Sequence, residues 1–196
     1  MRESSPADLV QLDDVSWLRY LPSFVSTDVA DAVVEQLLNE SWEWDGGHGR
    51  KVSWYGSFRY TYTGSDHPPA QIPSCIADLL GPVSAAALGY DSSPYDGVLL
   101  NLYEDGNEWV GFHQDDEDSL DTSAPVGILS LLSTRTILFQ AIERAHGVLA
   151  LSLEPRSLLV VGGATQQYWK HAIPREPTCR TRRVSLTFRR GSAGPD

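Results

Sequence analysis

The chain is 196 residues long, 41% hydrophobic and 10% aromatic, which is enough apolar material for one sizeable core and argues for a single domain. A net charge of −11 weighs against a broad electrostatic footprint on a polyanion, because cations must dominate at least one face for that. Cys75 and Cys179 lie far apart with no C-x-x-C pair, and neither a leader pattern nor a run of about 18 apolar residues occurs; a cytoplasmic protein that does not enter a membrane is expected.

Residues 1–15, beginning "MRESSPADLVQL", are polar and expected to be loosely held. The stretch "VSTDVADAVVEQLLNE" has a Ser/Thr start signal and predicts a helix with Val29, Val33, Leu37 and Leu38 on its apolar side. A second helix is predicted in "PSCIADLLGPVSAAALG", with Ile76, Leu79, Leu80 and Val83 inward and Pro82 as a break. From about residue 96 the pattern changes to short strand-like runs between turn residues: "GVLLNLY", "VGILSLL", "TILFQAI", "GVLALSL", "SLLVVGG" and "RRVSLTFRR". Helices early and a sandwich or jelly roll late is the expected order.

Two of these strands carry polar residues on one face. In "RRVSLTFRR", Val184, Leu186 and Phe188 alternate with Arg183, Ser185, Thr187 and Arg189. Such a polar face belongs either to an edge strand wetted by solvent or to a barrel interior, where two desolvated arginines need a matching anion such as a dicarboxylate. In "LLNLYEDG", Asn101 and Tyr103 share a face opposite Leu100 and Leu102.

The acidic run "GFHQDDEDSL" places His113 two residues before Asp115, on one side of an extended segment. His171, in "GGATQQYWKHAIPRE", is the best third partner, because His48, His67 and His146 lie in polar or turn contexts that read as solvated or core histidines. Two imidazoles and a carboxylate leave metal positions open, for Fe(II) with a 2-oxo acid and dioxygen or for catalytic zinc with a water. The arginine pair favours the first, since hydrolytic zinc has no need of a dicarboxylate clamp.

With those residues in view, the chain resembles the AlkB-type Fe(II)/2-oxoglutarate dioxygenases, which demethylate alkylated nucleic acid bases. The resemblance runs from about Arg50 to Arg190 through "WYGSFRYTYTG", "NLYEDGNEWVGFHQDDE", "GATQQYWKHAIPRE" and "RVSLTFR", in the family's order. It implies a mostly β chain with flanking helices: residues 16–95 holding helices and a substrate lid, a double-stranded β-helix (jelly-roll) core over 96–190, and a tail at 191–196. It implies iron on His113, Asp115 and His171, and 2-oxoglutarate held by Asn101, Tyr103, Arg183, Arg189 and Ser185, the last standing where relatives often have Asn. One arginine is expected on each carboxylate, Arg183 on the distal one.

The same resemblance assigns Tyr62 to stack on a flipped base against His113, with Tyr60 nearby, Glu117 and secondarily Asp116 at the exocyclic amine, and Arg59 among the few basic residues by the lid. Arg135 is kept, while Leu132 stands where relatives often have Gly and Gln140 where a second Arg is common. The implied reaction is O2-dependent removal of an N-methyl group from 1-methyladenine or 3-methylcytosine, releasing formaldehyde, succinate and CO2. Methylated nucleic acid in short or single-stranded form is the expected partner of a monomer. The alternative is hydroxylation of a small molecule, nucleoside or protein side chain.

Overall fold

A computed structural model describes residues 8–38, 43–45, 49–62, 65–90, 92–143 and 147–192. Its elements in chain order are β1 (Asp8–Gln11), β2 (Ser16–Leu21), α1 (Thr27–Leu37), β3 (Glu43–Asp45), β4 (Arg50–Gly56), β5 (Tyr60–Tyr62), β6 (Ser65–His67), α2 (Ser74–Leu88), β7 (Gly97–Tyr103), β8 (Val110–His113), β9 (Val126–Leu131), β10 (Arg135–Ala141), β11 (Leu149–Leu153), β12 (Leu158–Gly163), α3 (Thr165–Tyr168), β13 (Trp169–Ile173) and β14 (Arg183–Arg189). The major sheet runs β1-β2-β12-β9-β14-β7-β4-β3, the minor sheet β11-β10-β13-β8, and β5 pairs with β6. The pairings are antiparallel throughout. This is the expected jelly roll with flanking helices.

Side-chain alternation explains why the major sheet is buried on both faces. Val184, Leu186 and Phe188 of β14, with Val98, Leu100 and Leu102 of β7, pack against Val33 and Leu37 of α1 and Ile76, Leu79 and Val83 of α2. The opposite faces of the same strands look between the sheets, where Tyr103, Ile128, Ile137, Phe139 and Ile173 form a second cluster. β14 lies between β9 and β7, so the edge-strand reading of its polar face is excluded. Arg183, Ser185, Thr187 and Arg189 are all buried.

Several expectations need correction. Asp8–Gln11, placed in the loose N-terminus, pairs with β2 as the outermost strand of the major sheet; residues 1–7 lie outside the described residues. The early segment contributes β2, β3 and β4 to that sheet, so strands are not confined to the later half. On α1 the buried residues are Ala30, Val33 and Leu37, whereas Val29 and Leu38 are exposed. Ser26 caps that helix, its hydroxyl accepting the Val29 N–H. Pro82 does not break α2, because it sits on the exposed face, where water can reach the Asp78 carbonyl that loses its helical donor.

Leu132, in the short β9–β10 connection, has φ +73°, the left-handed region that a side chain disfavours by roughly 1–2 kcal/mol. Gly gives up part of that gain through its freer unfolded chain. Leu132→Gly is therefore expected to stabilise the protein by about 0.5–1 kcal/mol in urea unfolding. A clear loss of stability would show that the partly exposed leucyl side chain matters more than the backbone.

Candidate active site

Strand register brings the two histidines together. His171 of β13 is directly opposite His113 of β8, and their ring centroids are 4.2 Å apart. Asp115 follows two residues after the end of β8, and one ligand atom from each of the three residues lies within 4.8 Å of the other two. The His113 Nδ1 is 2.8 Å from the Gly111 carbonyl, which places the proton there and leaves Nε2, 3.7 Å from Asp115 Oδ1, with its lone pair.

Charge and burial prepare these groups for a cation. Burial, reinforced by His113, pushes the His171 imidazole down to about 3, and burial also lowers His113 against the pull of Asp115, so both rings are neutral at pH 7. Burial alone would raise the Asp115 carboxyl, but the Arg189 Nη2 at 2.7 Å reverses this and holds it below the usual carboxylate range. Arg189 is in turn raised, since Asp115, Tyr60 and Glu117 outweigh its desolvation. Asp115 Oδ2 is buried without a partner.

The sign of the histidine shift gives a test in the metal-free protein. Protons bind the unfolded His171 at its ordinary value of 6.5 but the folded one only near 3, so its stabilising contribution is full above pH 6.5 and lost as pH falls toward 3. Chemical denaturation of the metal-free chain should show a decline across this window, on the order of a few kcal/mol. A flat profile between pH 6.5 and 4 would contradict it.

Beside the histidines, one cavity between the sheets is lined by Asn101, Tyr103, Arg183, Ser185 and Arg189, with Leu99, Ile128, Ile137 and Ile173 as apolar walls. Arg183 pairs across strands with Tyr103, and Ser185 with Asn101. The Arg183 Nη2 donates to Ser130 Oγ at 3.0 Å, while its Nε and Nη1 are buried without partners. Arg135, equally buried at 1% exposure, bonds Glu176 and the carbonyls of Asp105, Glu108 and Pro174. The fold can satisfy a buried guanidinium, yet it leaves Arg183 with donors to spare. Burial lowers Arg183 only to about 10, so it stays cationic at neutral pH. Unpartnered cationic donors buried in a cavity of mixed polar and apolar lining fit a carboxylate ligand.

On the outer side, Tyr62 lines the same cavity, half-buried, its ring edge-on to His113 at 6.1 Å and beneath Arg50 at 5.4 Å. Tyr60, grouped with it as a substrate residue, does not line the cavity. Tyr60 is fully buried, stacks on Trp54, donates to Glu117 Oε1 at 2.9 Å and accepts from Arg189 Nη1 at 2.6 Å. Glu117 is half-buried behind it, Asp116 is exposed, and Arg59 pairs with Asp66 on the surface; none of the three lines the cavity. His67 is buried beside Tyr60, and His48 and His146 lie outside the described residues.

Sequence reasoning passed over Ser130 and Gln166. The alternation of "VGILSL" puts Ser130 opposite Ser185, and Gln166 stands within the quoted "GATQQYWKH" motif.

Comparison with known proteins accords with this geometry. The model of the 2OG-Fe(II) oxygenase superfamily matches residues 18–189. Alpha-ketoglutarate-dependent dioxygenase alkB homolog 3 of Mus musculus is 30% identical over 196 residues, covering 89% of this chain and 66% of the relative. DNA oxidative demethylase ALKBH2 of Homo sapiens is 30% identical over 151 residues, covering 72% of this chain and 56% of the relative. The solved structure of OsALKBH1 superposes with a TM-score of 0.67 at 20% identity, over 93% of this chain and 100% of that one, and supports the fold. The chain belongs to the 2OG-Fe(II) oxygenase superfamily, as a member of AlkB type. Fe(II), 2-oxoglutarate and O2 are the cofactors of that family, and His113, Asp115 and His171 could hold the metal. The chain spans about two thirds or less of the length of the curated relatives it matches.

Proposed function

We propose that this chain is an Fe(II)/2-oxoglutarate-dependent dioxygenase that oxidatively demethylates N-alkylated bases of the 1-methyladenine and 3-methylcytosine type in DNA or RNA. The observation that carries the reading is the pairing, in one cavity, of the His113, Asp115 and His171 ligand face with the unpartnered donors of Arg183. The names of the relatives, a dioxygenase and a DNA oxidative demethylase, point the same way.

When bound, iron with 2-oxoglutarate and O2 supplies the oxidising power, and the products are succinate, CO2 and formaldehyde. The chain's own part is orientation and exclusion of water. Arg183 takes the distal carboxylate of the keto-diacid, with Tyr103 and Ser130 fixing its guanidinium. Asn101, Ser185 and Arg189 line the rest of its path toward the metal. Tyr62 stacks on the flipped base against His113, which offsets part of an unstacking cost of about a few kcal/mol. Glu117, anchored by the Tyr60 hydroxyl, provides negative charge for a cationic base. Arg59, Asp116 and Tyr60 belong to the outer and supporting parts of this substrate side.

Short or single-stranded substrates suit the charge balance. Lys51 and Arg59, near the lid, are already paired with Glu104 and Asp66. The same observation favours a second reading, hydroxylation of a small molecule, nucleoside or protein side chain. A single domain acting as a monomer in the cytoplasm completes the proposal, supported by two cysteines that form no disulfide.

The test is to supply the iron-loaded protein and 2-oxoglutarate with methylated single strand, methylated duplex, methylated nucleoside, or no substrate. Formaldehyde from the single strand supports demethylation. Release from none of the methylated forms, with 2-oxoglutarate still consumed, leaves the second reading. Tyr62→Ala should lower kcat/KM on the methylated base about 5- to 150-fold, the equivalent of roughly 1–3 kcal/mol of stacking, and leave substrate-free 2-oxoglutarate decay unchanged. Unchanged turnover of the base would remove Tyr62 from the site.

A further inference from the structure

The ligands come from two separate pieces of chain, so something must fix the distance between them. Asp115 lies in the segment after β8, and His171 lies on β13. The short helix α3 leads directly into β13 and touches the Asp115 segment at Gln166. Gln166, 5% exposed, accepts the Asp115 backbone N–H on its Oε1 at 3.0 Å. Its own carbonyl accepts the Gln114 side-chain N–H at 2.7 Å. Two bonds therefore dock residues 114 and 115 on α3, five residues before His171. α3 is itself held in place: Thr165 Oγ1 donates to the Gly162 carbonyl at 2.6 Å, and Trp169 Nε1 donates to Asp13 Oδ2 at 2.6 Å.

We propose that Gln166 is a positioning residue for the metal centre, its side-chain carbonyl setting the Asp115 carboxylate against His171 through the Asp115 backbone. This rests on the reading of His113, Asp115 and His171 as the metal site. A buried N–H that loses its acceptor must find another or shift, and a shift of the Asp115 backbone moves one ligand of three. The amide oxygen is the working atom, so a side chain that keeps an acceptor there keeps the function.

Gln166→Met keeps the volume and removes the acceptor; Gln166→Glu keeps an acceptor at the same reach. Titration of the metal-free protein with Co(II), followed by its visible absorption, reads affinity and ligand geometry without any turnover. Gln166→Met should bind Co(II) about 10–100-fold more weakly than the wild-type chain, with an altered absorption envelope. Gln166→Glu should return to within about threefold of the wild-type chain and restore the envelope. Thermal unfolding of the metal-free variants, run alongside, should show both within a few degrees of the wild-type chain. Unchanged Co(II) affinity in Gln166→Met, a loss that Gln166→Glu does not restore, or a loss that tracks a large drop in Tm would overturn the positioning role. If the wild-type chain takes up no Co(II), the metal-site reading itself falls.

Discussion

His171→Ala should abolish metal binding and, with it, all consumption of 2-oxoglutarate. The substitution removes one of the three donors that converge here among the described residues, and the remaining pair cannot close the ligand face. His171 is 6% exposed and walled by Phe139, whose ring centroid is 5.9 Å from its own. Equilibrium dialysis against Co(II) or anaerobic Fe(II) should show stoichiometric uptake by the wild-type chain and none by the variant. Far-ultraviolet circular dichroism should show the sheets intact, because the change leaves the backbone pairing of β13 with β10 and β8 in place. Retained tight binding by a folded His171→Ala protein would mean the metal sits elsewhere.

The second large effect has opposite signs on binding and on stability. Arg183→Met should weaken 2-oxoglutarate about 30- to several-thousand-fold, the equivalent of roughly 2–5 kcal/mol for removing one partner of a buried charge pair. The same change should raise the stability of the ligand-free protein by about 1–4 kcal/mol, because it replaces a desolvated cation that makes no ion pair among the described residues with an apolar side chain of similar volume. Isothermal titration with 2-oxoglutarate and urea unfolding check the two halves separately. A variant that loses both stability and affinity would recast Arg183 as a structural residue like Arg135, where every nitrogen is already bonded.

The contrast between these two arginines also explains what a sequence can disclose. The period-two alternation of β7 and β14 is a local property that groups Asn101 with Tyr103 and Arg183 with Ser185 and Arg189, but only the strand order and register set both groups on one interior face. The two-residue spacing of His113 and Asp115 is local as well. Tyr60 was legible as an aromatic near the lid, but its role depends on Glu117 and Arg189, 57 and 129 residues away. Gln166 depends in the same way on Asp115, 51 residues earlier. Nothing in a neighbourhood of ten residues reports such contacts.

The early strands were hidden for a related reason. β2 and β4 read "SWLRYL" and "RKVSWYG", mixed runs whose strand state is secured by pairing with β12 and β7 across the sheet. On α1, Val29 and Ala30 both fit a helical stripe with Val33 and Leu37, and only packing against the sheet selects Ala30. Leu132 stands where the resemblance expects a glycine, and its left-handed backbone shows what a glycine there is suited to.

The most direct measurement is a crystal structure of the protein grown anaerobically with Fe(II) and 2-oxoglutarate. The expected result is a single iron bonded by His113 Nε2, His171 and Asp115, and the distal carboxylate of the keto-diacid on Arg183 Nε and Nη1. An iron bound away from these three side chains, or a keto-diacid whose carboxylates both avoid Arg183, would contradict it.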